Sequence, residues 1–208
     1  MNRTIKLLII SDAFLLTGFG LIEPILAVFI KEQIIGATLF KIGFATTLYL
    51  IVKSIVQIPF ARYIDSHRHK VIFLVLGTFC IATVPFIYIY AQHINTIYLA
   101  QIMNGIGAAL AYPTFLSIFS THLDKKKEGF EWSVYSTTVG LMAAGSALVG
   151  AKIAEVFGFK ITFLLVGILA VISSLILLLL EKDDKKTSKS FHTYSKGKLF
   201  HHPHKRYH

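Results

Sequence analysis

The chain has little with which to cross-link, catalyse or hold metal. One cysteine, Cys80, sits inside an apolar block, so no disulfide framework within the chain is possible. Acids are scarce, 11 Asp and Glu against 21 Lys and Arg. No clustered acids or histidines at a common depth offer general acid–base or metal chemistry, so an enzyme, a metal centre and a cofactor site are not expected. Charge is missing altogether from residues 161–180, a length of helix that no soluble fold hides on every face. Gly18-Phe19-Gly20 and Gly105-Ile106-Gly107 lie within apolar runs rather than after strands, which removes a nucleotide-binding reading.

What is present is hydrocarbon. Hydrophobic residues make up 54% of the chain and mean hydropathy is +0.64. They come in blocks of about twenty, the length that crosses a bilayer. The N-terminal block imitates a secretory signal, yet it runs on to about Ile30, carries Asp12 and Glu23 and has no small-x-small cleavage site. The blocks predict an all-α, integral membrane six-helix bundle over residues 1–180, with spans at 5–30, 41–62, 71–91, 95–121, 132–156 and 161–180. Residues 181–208 are polar and rich in Lys and His, and read as a basic, disordered cytoplasmic tail.

The net charge of +10 could suggest nucleic acid, but its placement follows the positive-inside rule instead. With the N-terminus inside, sixteen Lys and Arg fall on the inner face and only Lys31, Lys41, Lys152 and Lys160 on the outer. Both termini are therefore expected in the cytoplasm, in what small size and short loops suggest is a prokaryotic plasma membrane. Lys125, Lys126, Lys127 and the tail would lie against the anionic inner leaflet. No ordered metal site is expected of the tail histidines.

The spans differ in kind. The third and sixth are uniformly apolar, as expected of helices facing lipid. The first, second and fourth carry Asp12, Thr17 and Glu23; Lys53, Ser54 and Gln57; and Gln101, Asn104 and Tyr112. An ionisable group at mid-helix costs ~2.5–3.5 kcal/mol or more, so these should face a cavity or one another. The candidates for solute binding or ion coupling are Glu23, Lys53, Gln57, Gln101 and Asn104. Glu23, ~9 Å outward of the middle of its span at 1.5 Å per residue, is the preferred coupling group. Its structural alternatives are a pair with Lys53 or a cap for backbone freed by Pro24. Asp12, nearer the inner edge, reads as interfacial. Gln101 and Asn104 share a helical face and serve either solute or helix–helix hydrogen bonding. Gly140, Gly145 and Gly150 in the fifth span, like Gly105 and Gly107 in the fourth, read as close-packing positions. Spans 1 and 4 share Gly-x-Gly followed by proline, an echo that suggests two three-helix units.

These residues resemble the N-terminal half of a major facilitator superfamily transporter across nearly all of 5–180. Gly20-Leu-Ile-Glu23-Pro24-Ile-Leu-Ala-Val-Phe29 is similar to the family's first helix. Ala61-Arg62-Tyr63-Ile64-Asp65-Ser66-His67-Arg68-His69-Lys70 resembles the loop signature G-x-x-x-D-(R/K)-x-G-(R/K)-(R/K), with Ala61, Ser66 and Arg68 departing. Gln101-Ile-Met-Asn-Gly105-Ile-Gly107 resembles R-x-x-x-G-x-G with glutamine in place of the arginine implicated in proton coupling. The glycine-rich fifth span and Gly158-Phe-Lys160-Ile-Thr-Phe163 also fit, though the family's proline is missing from the fifth. The resemblance implies translocation of a small solute by alternating access, ion-coupled (proton or Na+) or facilitative. It also implies a conformational latch at Asp65, Arg62, Arg68 and Lys70, and a twelve-helix whole. Six helices with both termini inside imply a homodimer or a second six-helix half; the alternative is a non-transporting protein or an inactive truncated half.

Overall fold

A computed structural model describes residues 1–66 and 70–199, and side chains as far as Leu180. Asn2 caps the first helix, its Oδ1 accepting from the Ile5 N–H at 2.9 Å, and α1 runs Arg3–Ile22. There the first span breaks. Pro24 has no N–H to continue the ladder, the chain turns through Glu23–Ile25, and α2 resumes over Leu26–Gln33. The break divides what the sequence predicts as one continuous span. Thr38 Oγ1 accepts from the Lys41 N–H to open α3, Leu39–Asp65. The remaining helices are α4 (Lys70–Tyr90), α5 (Ile94–His122), α6 (Glu128–Phe157) and α7 (Phe159–Leu199). Gly158, at φ 83°, makes the tight corner between α6 and α7. Pro59, Pro85 and Pro113 lie inside helices, as membrane helices tolerate where neighbours satisfy the freed carbonyls.

Among the described residues, six helices are long and apolar enough to cross a membrane, each at an expected span. The helical backbone of α7 continues past Leu180 to Leu199, a difference from the disordered tail expected from 181. Lys and Glu in this stretch are good helix formers. The histidines of 201–208 lie outside the described residues, as does Arg68.

The helices form an arc. In spatial order it is α3, α5, α4, α7, α1 and α6, each packed on the next, with α3 and α6 at the two ends and not packed on one another. Exchanging α1, α3 and α4 for α5, α6 and α7 maps the pattern onto itself: α3 on α5 becomes α6 on α1, and α4 on α5 becomes α7 on α1. That is the symmetry expected of two three-helix units.

Two apolar clusters hold the arc. One joins Ile5, Leu8, Leu74, Phe115, Phe119 and Leu177; the other Ile22, Phe29, Tyr88, Ile97, Phe163 and Val166. Phe29 of α2 packs edge-on to Phe163 of α7, centroids 4.7 Å apart, which pins the broken outer half of the first span to the bundle. Where helices come closest, glycine is required. A Cβ on Gly77 would meet the Gly107 carbonyl at 2.7 Å, one on Gly107 the Gly77 carbonyl at 2.8 Å, and one on Gly150 would run into the Leu21 backbone. Gly105 sits against the Tyr49 carbonyl. Gly140 and Gly145, expected to do the same, face open space.

A cavity between the polar helices

Along α1, Asp12, Leu15, Phe19 and Glu23 recur at helical spacing and so share a face. Along α3, Thr46, Tyr49 and Lys53 do the same, as do Gln101, Asn104, Ala108 and Tyr112 along α5. These three faces, backed by α4 and closed at one side by Tyr135 of α6, surround a mostly apolar cavity of about 610 Å³. Of the five solute or coupling candidates, the structure brings Glu23, Lys53, Gln101 and Asn104 together on its walls; Gln57 does not line it.

Lys53 is the sole basic residue among those lining the cavity. Its Nζ stands 4.8 Å from the Tyr112 ring centroid and 5.9 Å from that of Tyr49. Two such contacts, each ~0.5–2 kcal/mol, offset much of the ~2.5–3.5 kcal/mol that an ion costs at mid-helix. Glu23 is exposed at the helix break, and among the described residues it forms no ion pair with Lys53. The pairing alternative for Glu23 is therefore not what the structure contains.

Asp12, expected at the interface, instead faces the cavity, where its Oδ2 accepts from the Tyr135 hydroxyl at 2.7 Å. The bond ties α1 to α6 across 123 positions of sequence. Its spacing from Phe19 and Glu23 was the available signal. Its partner was not, because nothing in the sequence says that α6 packs on α1.

At the α3–α4 turn, Asp65 lies 3.6 Å from Lys70, whose Nζ also donates to Ser117 Oγ of α5 at 2.8 Å. Two latch candidates thus meet and are tied to a third helix. Arg62 is exposed on the last turn of α3. Sequence reasoning missed a second charged cluster on the same face. The Met1 ammonium lies 2.5 Å from Asp124 and 3.2 Å from the fully buried Glu131, and Glu131 Oε2 accepts from the Asp124 N–H at 3.0 Å. Donating to the Asp124 carboxylate, with the Glu131 carboxylate beside it, holds the terminal amine above its ordinary value, and the ammonium holds Asp124 below the usual carboxylate range. No group of three or more potential metal ligands occurs among the described residues.

Known proteins of similar sequence and fold agree on one family. A model of the Major Facilitator Superfamily matches residues 8–203. An uncharacterized MFS-type transporter, MJ1560 of Methanocaldococcus jannaschii, is 23% identical over 176 residues, covering 85% of this chain and 45% of that protein. The quinolone resistance protein NorA of Staphylococcus aureus is 21% identical over 194 residues, covering 91% of this chain and 48% of its own. In fold the chain matches the POT family transporter PepTSo with a TM-score of 0.69 at 14% identity, over 88% of this chain and 38% of that one. The chain spans about half the length of these relatives. With six helices long and apolar enough to cross a membrane among the described residues, and a family match over residues 8–203, the chain is an integral membrane protein that belongs to the Major Facilitator Superfamily.

Proposed function

We propose that the chain moves a small solute across a prokaryotic plasma membrane by alternating access, as one of two six-helix units around a shared path, the second unit being another copy of itself. The observation that carries this reading is the cavity left unroofed between α3 and α6. Both helices bear polar or small residues, and both leave most of their apolar surface uncovered by the chain. A second copy inserted the same way, with both termini cytoplasmic, brings an α6 to each α3 about an axis along the membrane normal.

In this reading Lys53, Gln101 and Asn104 meet the solute. Glu23, at a helix break near the outer mouth, is the coupling carboxylate for a proton or Na+, with Asp12 a second acid on the same helix; without coupling, transport is facilitative. The Asp65–Lys70 pair, with Arg62 and Arg68 beside it in sequence, latches one conformation on the cytoplasmic side. Lys125, Lys126 and Lys127 rest on anionic headgroups at about 1 kcal/mol each. The Cβ-open faces of Gly140 and Gly145 accept the second copy at close range.

The test is reconstitution of the purified chain in proteoliposomes with pooled solutes, quinolones among them because of the NorA relatives' name. The expected result is uptake together with a dimer trapped by crosslinking; a transport-competent monomer contradicts the dimer. Glu23→Gln should abolish uptake driven by a pH gradient, and unchanged uptake removes Glu23 from the mechanism. One observation favours a second reading. The relatives are about twice as long, as expected if the partner unit is a different six-helix chain or if this half is inactive alone. Uptake only on co-expression with such a unit, or no uptake at all, selects that reading.

A further inference from the structure

We infer that the α3–α5 wall of the cavity is a receptor for an organic anion: a carboxylate on an aromatic or alkyl body, its oxygens taken by Lys53 Nζ and by the Gln101 and Asn104 amides. The inference rests on the cavity being the solute site and names the class of solute it takes. Three observations converge. Lys53 is the only basic residue among those lining the cavity, and no carboxylate lies within ion-pair distance of it among the described residues. The faces of Tyr112 and Tyr49 steady the ammonium, but a ring face is no hydrogen-bond acceptor of the strength an ammonium ordinarily finds. Gln101, only 5% exposed, lines the same cavity and makes no side-chain hydrogen bond among the described residues, and Asn104 follows it by three residues on the same face of α5. Its amide is not sealed into the core, where Glu131 Oε1 is the buried side-chain atom without a hydrogen bond among the described residues, but opens onto the cavity and can donate to a solute there.

The opposite wall carries the other sign. Asp12 is already engaged by the Tyr135 hydroxyl, and Glu23 stands exposed at the outer break, so a cation finds one satisfied acid and one at the mouth. An anion finds an ammonium and an amide donor without acceptors, adjacent to Phe19, Leu74, Ile81 and Phe115, which shelter an apolar body. A carboxylate has the lone pairs to take donors from both side-chain types at once.

The test uses the full chain in nanodiscs and three probes of one shape: naphthoate, naphthamide and naphthamidine, which present an anion, a neutral amide and a cation. Binding is measured by equilibrium dialysis near neutral pH, with empty nanodiscs correcting for partition into lipid. Naphthoate should bind at least about tenfold more tightly than naphthamide, as a charge-assisted hydrogen bond requires. Lys53→Met should bring that ratio close to one and Lys53→Arg should preserve it, each variant first shown to melt as wild type does. Equal binding of naphthoate and naphthamide, preference for naphthamidine, binding of none of the three, or a ratio surviving in Lys53→Met overturns the inference. Because the readout is equilibrium binding, a naphthoate preference without any uptake defeats the transport reading and leaves this one standing. Uptake of solutes without charge preference does the reverse.

Discussion

The two most apolar helices, α4 and α7, are half enclosed by their own chain, with 44% of their apolar stretches buried. The polar-interrupted α3 and the glycine-rich α6 bury 6% and 11%. The expectation that uniformly apolar spans simply face lipid is thus corrected: α4 and α7 form the back wall, each with one packed face. In water, hydropathy and burial go together because the solvent enforces it. In a bilayer, lipid tails are as apolar as leucine, so packing is decided by shape and by polar groups that must find partners. Gly77 and Gly107 let α4 and α5 touch backbone to backbone, whereas Gly140 and Gly145 have nothing to touch. Closed packing and open packing are therefore written in the same residue type on different helices.

The largest effect should come from filling a closed glycine. Gly107→Leu drives a side chain into the Gly77 carbonyl and Ile81 and should cost about 3 kcal/mol or more, at the upper end of overpacking, measured as loss of folded bundle in thermal melts. Gly145→Leu should leave the single chain's melt unchanged and reduce only crosslinking between copies. Next, Phe163→Ala empties a fully buried ring site packed on Phe29 and Tyr88 and should cost about 3 kcal/mol. Its counterpart on the open side, Leu141→Ala at 70% exposure, should stay within about 0.5 kcal/mol. Tyr135→Phe removes the donor to Asp12 and should cost about 1 kcal/mol, detectable as a lower melting temperature.

The smallest effect is electrostatic and lies on the surface. The Met1 amine is raised by Asp124 and Glu131, so its contribution is present below the ordinary amine value of ~8 and fades as pH rises through the raised one. Asp124 is lowered, so its share is present above ~3.9 and fades as pH falls through the lowered value. Melting temperature should be level between those limits and droop slightly on both sides. Asp124→Asn should weaken both limbs.

How much of this was legible follows the same division. Span number was readable because length and hydropathy are local properties, whereas the break at Pro24 was not, because hydropathy runs on unbroken through it to about Ile30. The inward turn of Glu23, Lys53, Gln101 and Asn104 was readable from the cost of charge and amides in hydrocarbon. Gln57 and Asp12 went the other way. Gln57 is four residues from Lys53, yet α3 contributes only its upper and middle turns to the cavity. Asp12 depends on Tyr135, a partner that only tertiary packing supplies. Nor could the sequence separate Gly150, pressed on Leu21, from Gly145, pressed on nothing. Each distinction lives in which helix stands beside which.

The central claim is that the open faces of α3 and α6 are covered by a second copy. Ile51 on α3 and Leu141 on α6 are both exposed, and each lies ~20 Å from the Asp65 and Glu128 ends of its helix at 1.5 Å per residue. Placing cysteine at both positions in a Cys80→Ser background and oxidising native membranes should give a disulfide-linked dimer between Ile51→Cys of one copy and Leu141→Cys of the other. A chain that stays monomeric in the membrane while still carrying solute would contradict it.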